Sequence, residues 1–221
     1  MAALTRPPGR MGRLWVLYRL DLAERGVMLL DQKLNLLTAL QEELQRRAEQ
    51  SRHDWQQACR EADMWGLRAV LLGGQQALDL AVTTAPASVT VQWAVTAGVR
   101  YPDVAACVLP PEDDPAVIYP TSAAVQAARA YRTAVVAAAE CAAAQSATRT
   151  VEQEVHTTRL RVRALTRHWL PVLRQELAHI ELELEEQDRD SAIRVRLVDQ
   201  QRRQPAPAAD TMRDTTGSKP A

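Results

Sequence analysis

Leu30, Leu34, Leu37, Gln41, Leu44, Ala48, Ser51, Trp55, Ala58, Ala62, Trp65, Ala69 and Leu72 follow one another at alternating four- and three-residue steps, and only Gln41 and Ser51 are polar. An apolar stripe with a mean spacing of about 3.5 residues, held over several heptads, is the signature of a coiled-coil helix. No proline occurs from about Gly12 to Ala81, and helix formers dominate. The pattern therefore predicts an N-terminal helix over about 11–81. Gly73-Gly74 marks the point where its regular part loosens or ends.

Residues 82–120 read differently. Pro86, Pro102, Pro110, Pro111, Pro115 and Pro120 exclude a long helix there. Val89, Val91, Trp93 and Val95 alternate with Thr90, Gln92 and Ala94, a period of two that predicts a half-buried strand. Gly98 supplies a turn, and Val104–Leu109 is the expected return strand. An isolated hairpin is marginal in water, so this one is expected to lean on the helices or on a partner.

The helical pattern returns over about 121–203, with Thr121 or Ser122 suited to the N-cap. The same walk runs Ala123, Ala127, Ala130, Ala134, Ala137, Cys141, Ala144, Thr148, Val151, Val155, Thr158, Val162, Leu165, Trp169, Val172, with no charged position. Beyond Pro171 the stripe moves by one residue, to Leu173, Leu177, Ile180 and Leu184. A proline removes a helical hydrogen bond, so the coincidence predicts a local bend. Residues 1–10, with Pro7, Pro8 and Gly9, are expected to be a flexible lead, and 204–221, rich in Pro, Ala and Thr, a disordered tail.

Folding the chain back near residue 100 sets Trp55 and Trp65 opposite Ala144 and Ala134, large against small. Trp169 then faces Leu30 or Asp31. The basic start (Arg10, Arg13, Arg19) comes to lie near the acidic end (Glu183, Glu185, Glu186, Asp188, Asp190). Both features fit an antiparallel pair. The expected fold is mainly α: a long antiparallel two-helix coiled coil with a short central β-hairpin region, forming one domain over 11–203. Arms of about 70–80 residues would each extend roughly 105–120 Å. The expected core comprises Leu30, Leu34, Leu37, Leu44, Trp55, Trp65, Val151, Val155, Val162, Leu165 and Trp169.

Composition agrees. Lys+Arg and Asp+Glu are both 27, giving no net charge, which argues against a dedicated nucleic-acid binder. Phe is absent and aromatics are only 4%, so burial must rest on Ala, Leu, Val and a few Trp. The cysteines, Cys59, Cys107 and Cys141, are odd in number and lack metal spacing, as free thiols in a reducing compartment would. Arg6, Arg10 and Arg13 precede the stretch Leu14–Leu20 as in a signal peptide, but Arg19 and Asp21 interrupt it and no cleavage site follows. No apolar run approaches the roughly 20 residues that span a bilayer. The chain is expected to be soluble, or peripheral at most.

Candidate chemistry is sparse. There is neither a GxxxxGK[ST] loop nor a GxGxxG. His53, His156, His168 and His179 include no i, i+4 pair for a helical metal site. Glu181, Glu183, Glu185 and Glu186 read as a solvated face, and Cys59, though near His53, has no further catalytic partner. No catalytic residue, cofactor or metal is expected. Trp93, on an amphipathic strand, reads first as core packing and second as an anchor for a partner.

Several runs resemble one family. Ala23-Glu24-Arg25-Gly26-Val27-Met28-Leu29-Leu30-Asp31-Gln32-Lys33-Leu34 is similar to the N-terminal signature of the D-type stalk subunit of V/A-type rotary ATPases, as is Pro8-Gly9-Arg10 upstream. Gly98-Val99-Arg100-Tyr101-Pro102 resembles the family's Gly-Val-x-x-Pro, and Arg161-Val162-Arg163-Ala164-Leu165 its Arg-Val-Asn-Ala-Leu. Pro171 stands where the family places a proline, and Glu185-Glu186-Gln187-Asp188-Arg189 is similar to its acidic-basic close. Arg163 and Thr166 depart from the commoner Asn and Glu.

The resemblance implies a non-catalytic rotor shaft. Its terminal helices would form an antiparallel coiled coil inside a head of A- and B-type subunits. Its middle would lie near an F-like subunit and the C/d-type socket above the membrane ring. It implies the cytoplasmic side of a membrane, contact with the membrane only through the complex, and no nucleic acid. Arg10, Arg13, Arg25 and Lys33 are candidates for seating the tip in the head, with Trp93 and Tyr101 as candidate partner contacts on the hairpin. The competing expectation is a prefoldin-like chaperone or another coiled-coil scaffold. A chaperone of that kind needs apolar free ends, and these ends are charged.

Overall fold

The computed structural model describes residues 7–82, 85–112 and 117–203. The first helix, α1, runs Gly9–Asp79. Two strands follow, β1 (Ser88–Thr96) and β2 (Val99–Val108). Helix α2 spans Ser122–Ala164, a π-helical turn spans Leu165–Trp169, and α3 spans Leu170–Arg203. The fold is mainly α with one antiparallel two-stranded sheet. Where the sequence suggests one domain over 11–203, the chain divides into two compact units, Ala23–Trp169 and a second that joins Met1–Leu22 to Leu170–Ala221. The expected tail, 204–221, lies outside the described residues, as do residues 1–6 of the lead.

In the first unit, α1 packs antiparallel on α2 along the stripes that the four-three walk identifies. On α1, Leu37, Leu44, Ala62 and Ala69 are buried, and Leu30, Leu34, Gln41, Ala48, Ser51, Trp55, Ala58 and Trp65 are half-buried. On α2, the walk from Ala123 to Thr158 is buried or half-buried at every step, and Val162 and Leu165 are half-buried. Leu72 is the exception on α1, 69% exposed. Its helix breaks two residues later, where Gly74 has φ 67° and ψ −178°, and Ala77 takes over the buried face. Only glycine enters that backbone region without strain. At the head of α2, the Thr121 side chain accepts a hydrogen bond from the Ala124 amide at 3.1 Å, a standard N-cap.

The seam has two halves. In one, Ala69 packs with Ala123, Ala124 and Ala127, and Ala62 with Ala130 and Ala134; Trp65 lies against both groups. Gly66 leaves room for Tyr131, whose hydroxyl would be 2.7 Å from a Cβ there. In the other half, Leu37 and Leu44 pack with Ala147, Val151 and Val155. Thr148 Oγ1 shares its one hydroxyl proton between Ala144 O, four residues back at 3.0 Å, and Leu44 O across the seam at 3.2 Å. Lys33 Nζ meets Glu154 Oε1 at 2.8 Å. These contacts displace the pairing by about two helical turns from the one that folding at residue 100 predicts. Tryptophan against alanine survives the displacement at Trp65.

The hairpin docks on the second half through β2. Val99 and Tyr101, both buried, join the cluster of Leu37, Leu44, Val151 and Val155. The tight turn places Ala97 and Gly98 at φ 50° and 78°, two positive values as in a type I′ turn. β2 therefore begins at Val99, earlier than the Val104–Leu109 strand expected. The pairing is irregular between Gln92 and Trp93: Gln92 pairs with Val104 and Trp93 with Pro102, and Asp103 falls out of the ladder. Proline lacks the ladder N–H, and a bulge is where a sheet tolerates it. Asp103 instead meets Arg47 at 2.8 Å.

Near the π turn, the sequence register and the helix geometry agree. Pro171 has no N–H to offer the preceding turn. The five residues Leu165–Trp169 just before it widen into a π turn, which accommodates one extra residue. The extra residue moves the apolar face by one position, the shift seen in the sequence. Trp169, expected in the core, is the residue displaced: it is 44% exposed, with the His168 ring edge-on at 5.9 Å. In the second unit, α1 residues before Ala23 pack antiparallel on α3. Val16, Leu170, Leu173 and Ile180 are buried. Arg13 meets Glu181 at 3.0 Å and Arg10 meets Asp188 at 3.7 Å, the basic-to-acidic match expected.

Candidate partner interface

Period-two patterning on β1 suggests that Val89, Val91, Trp93 and Val95 share a half-buried face. The structure reverses most of this. Val89, Trp93 and Val95 are 53%, 54% and 66% exposed, whereas Ala94 and Thr96 are half-buried. The reason lies in β2: Val99 and Tyr101 fill the space over the helices, and their partners across the ladder are Thr96 and Ala94. Val91, opposite buried Ala105, stays half-buried as expected, and the other larger side chains of β1 are left outside. Val104 and Val108 of β2 are exposed too, but they pair with Gln92 and Ser88, on the other side of the ladder from Val89 and Val91. Trp93 carries a cation: the Arg100 guanidinium sits 4.8 Å from its ring centroid. β1 is also a sheet edge, with neither charge nor proline among its nine residues. Edges of this kind are normally guarded or covered.

Tyr101, expected beside Trp93 as a partner contact, is buried at 7% exposure, with its hydroxyl 3.4 Å from Thr96 Oγ1. It holds the hairpin to the helices. The four basic candidates separate likewise. Lys33 and Arg13 cross-link helices through Glu154 and Glu181. Arg25 is exposed on α1, and the Arg10 side chain is 83% exposed beside Asp188.

A second surface was not singled out in the sequence. In the second unit, Met11, Leu14, Tyr18 and Leu22 are 67%, 58%, 65% and 56% exposed and lie along one face of α1. The signal was available, since the four-three spacing begins at Met11, alongside the buried line through Val16.

Nothing in these surfaces assembles chemistry. A cleft of about 330 Å³ near the end of α1 is lined by Leu78, Val82, Val117, Tyr119, Ala127 and Tyr131, without converging polar groups. Arg132, which also lines it, is held by Pro110 O at 2.7 Å and Glu112 at 3.5 Å. Cys59 lies against the alanines of the seam, and Cys141 is buried, its sulfur accepting from Gln145 Nε2. His179 pairs with Glu183 at 3.1 Å on the helix surface. Among the described residues, no group of three or more His, Cys, Asp or Glu is placed to hold a metal ion. No described helix is long and apolar enough to cross a membrane.

The family model for the ATP synthase D subunit matches residues 16–200. The chain belongs to the ATP synthase D-subunit family. The D subunit of the V-type ATP synthase of Anaeromyxobacter sp. (strain Fw109-5) is 33% identical over 199 residues, covering 87% of this chain and 93% of that relative. The family match extends across most of α1, the hairpin, α2, the π turn and nearly all of α3. Membership makes the chain a central-stalk subunit of a V/A-type ATPase.

Proposed function

We propose that this chain is the rotor shaft that carries torque between a catalytic head and a membrane ion-translocating ring during ATP synthesis or hydrolysis. The observation that carries the reading is the seam of α1 on α2. Interdigitated alanines, the Thr148–Leu44 hydrogen bond and the Lys33–Glu154 pair tie the two helices. A twist applied to one helix is therefore passed to the other. The nucleotide chemistry belongs to the head, and this chain contributes no catalytic group. Its partners are the A- and B-type head subunits, an F-like subunit and a C/d-type socket on the cytoplasmic side of the membrane.

Arg10, with the apolar line Met11, Leu14, Tyr18 and Leu22 of the same unit, offers the head a seat of mixed character, and Arg25, in the other unit, is a separate candidate contact. Exposed Trp93 and Val95 of β1 offer a docking face to the F-like or socket partner. The test is reconstitution with A- and B-type head subunits and the F-like subunit, with a bead attached to this chain. Co-purification and ATP-driven rotation of the bead are expected. A head that hydrolyses ATP while the bound chain stays still would overturn the proposal.

A further inference from the structure

Six threonines within α1 and α2 (Thr38, Thr133, Thr148, Thr150, Thr157 and, in the π turn that follows, Thr166) give their hydroxyl to the carbonyl four residues back. Thr158 does not. It is 0% exposed, faces the seam, and its Oγ1 is a buried side-chain oxygen without a hydrogen-bond partner. Buried hydroxyls in native proteins are almost always paired, so an orphan in the seam weakens the layer that holds it.

A second observation adjoins it. After Thr158, no residue from 159 to 169 is buried, and on α1 none from 17 to 36 is. The packing that grips Leu37, Val151 and Val155 stops at this layer. A third is the π turn itself, whose wider backbone ring is an uncommon, less favourable form of helix. An orphan hydroxyl, a lapse in burial and a π turn thus fall within a dozen consecutive residues.

We propose that residues 156–169 of the first unit, with the facing stretch 23–36 of α1, form a compliant section of the helical pair, which opens locally before the rest of the seam. Segments with few buried apolar contacts are the ones that open at low free energy. The orphan hydroxyl lowers the cost further, because opening lets Thr158 reach water. The section is the soft end of the seam within the first unit. This inference does not depend on the rotor reading.

Hydrogen–deuterium exchange on the full chain tests it. Amides of 159–169 are expected to exchange at least about tenfold faster than those of 141–155. Thr158→Val keeps the shape and removes the orphan, and is expected to slow exchange in 156–169 roughly tenfold while leaving 123–144 unchanged. Deleting Thr166 removes the extra residue, so that Leu170 and Leu173 fall on the four-three walk through Val162 and Leu165, and is expected to slow the same amides. Equal protection of 159–169 and 141–155 would overturn the proposal. So would a Thr158→Val effect spread evenly along α2.

Discussion

The two halves of the α1–α2 seam solve the same problem with different side chains. In the alanine half, Ala62 and Ala69 meet Ala123, Ala127, Ala130 and Ala134, and the described clusters there draw on no strand. In the leucine half, Leu37 and Leu44 face Ala147, Val151 and Val155, and Val99 and Tyr101 of β2 complete the cluster. Small residues let two backbones approach until each helix covers the other. Larger ones hold the helices apart and leave a groove that a third element must fill. Side-chain size thus decides where the hairpin docks.

The largest effect should come from the leucine half. Leu37 is 0% exposed. Leu37→Ala is expected to destabilise the chain by about 2–5 kcal/mol, read from urea unfolding followed by circular dichroism. A loss well under 1 kcal/mol would mean that the helices close without the leucine and that the hairpin is incidental. The opposite change probes the other half: Ala69, also 0% exposed, has no room for growth. Ala69→Leu is expected to cost about 1–3 kcal/mol in the same assay. A neutral result would show that the alanine half is not close-packed.

The smallest effect concerns the cross-link beside the leucine half. Lys33 and Glu154 are each 27% exposed at the side chain. A double-mutant cycle with Lys33→Ala and Glu154→Ala should give a coupling of about 0.5–1 kcal/mol. Adding 1 M salt should remove most of it. A coupling insensitive to salt would point to packing of the lysine stem rather than charge.

Much of this fold was legible in the sequence, because a coiled-coil seam is written in local spacing. The walk from Leu30 to Ala69 and the walk from Ala123 to Leu165 need only periodicity, and burial follows them step by step. Gly74 and Pro171 announce a kink and a phase shift through their own backbone chemistry. Longer-range choices were not legible. Which residue of α1 meets which of α2 is weakly specified where alanine faces alanine. Thr148, Lys33 and Tyr131 fix it, and none of these stands out in a hydrophobic pattern. The hairpin's inner face went to Tyr101 and Val99 rather than Trp93 and Val95, since alternation marks two faces without saying which one a neighbour covers. Trp169 lost its place to the π turn, a detail no spacing rule anticipates. Of the two candidate partner contacts on the hairpin, packing leaves Trp93 exposed and absorbs Tyr101 into the core.

The hydrogen bond from Thr148 to Leu44 joins residues 104 positions apart. On a ribosome adding about 5–20 residues per second, α1 therefore waits on the order of 5–20 s for the residues it must grip. During that wait an all-leucine stripe would be an invitation to aggregate. Interleaved with Trp55 and Trp65, the alanines from Ala48 to Ala69 present less oily surface than leucines would, while the hairpin, whose strands are neighbours in the chain, can close early and offer Leu37 and Leu44 a temporary cover. The same small side chains that bring the finished helices together also keep the unfinished chain quiet.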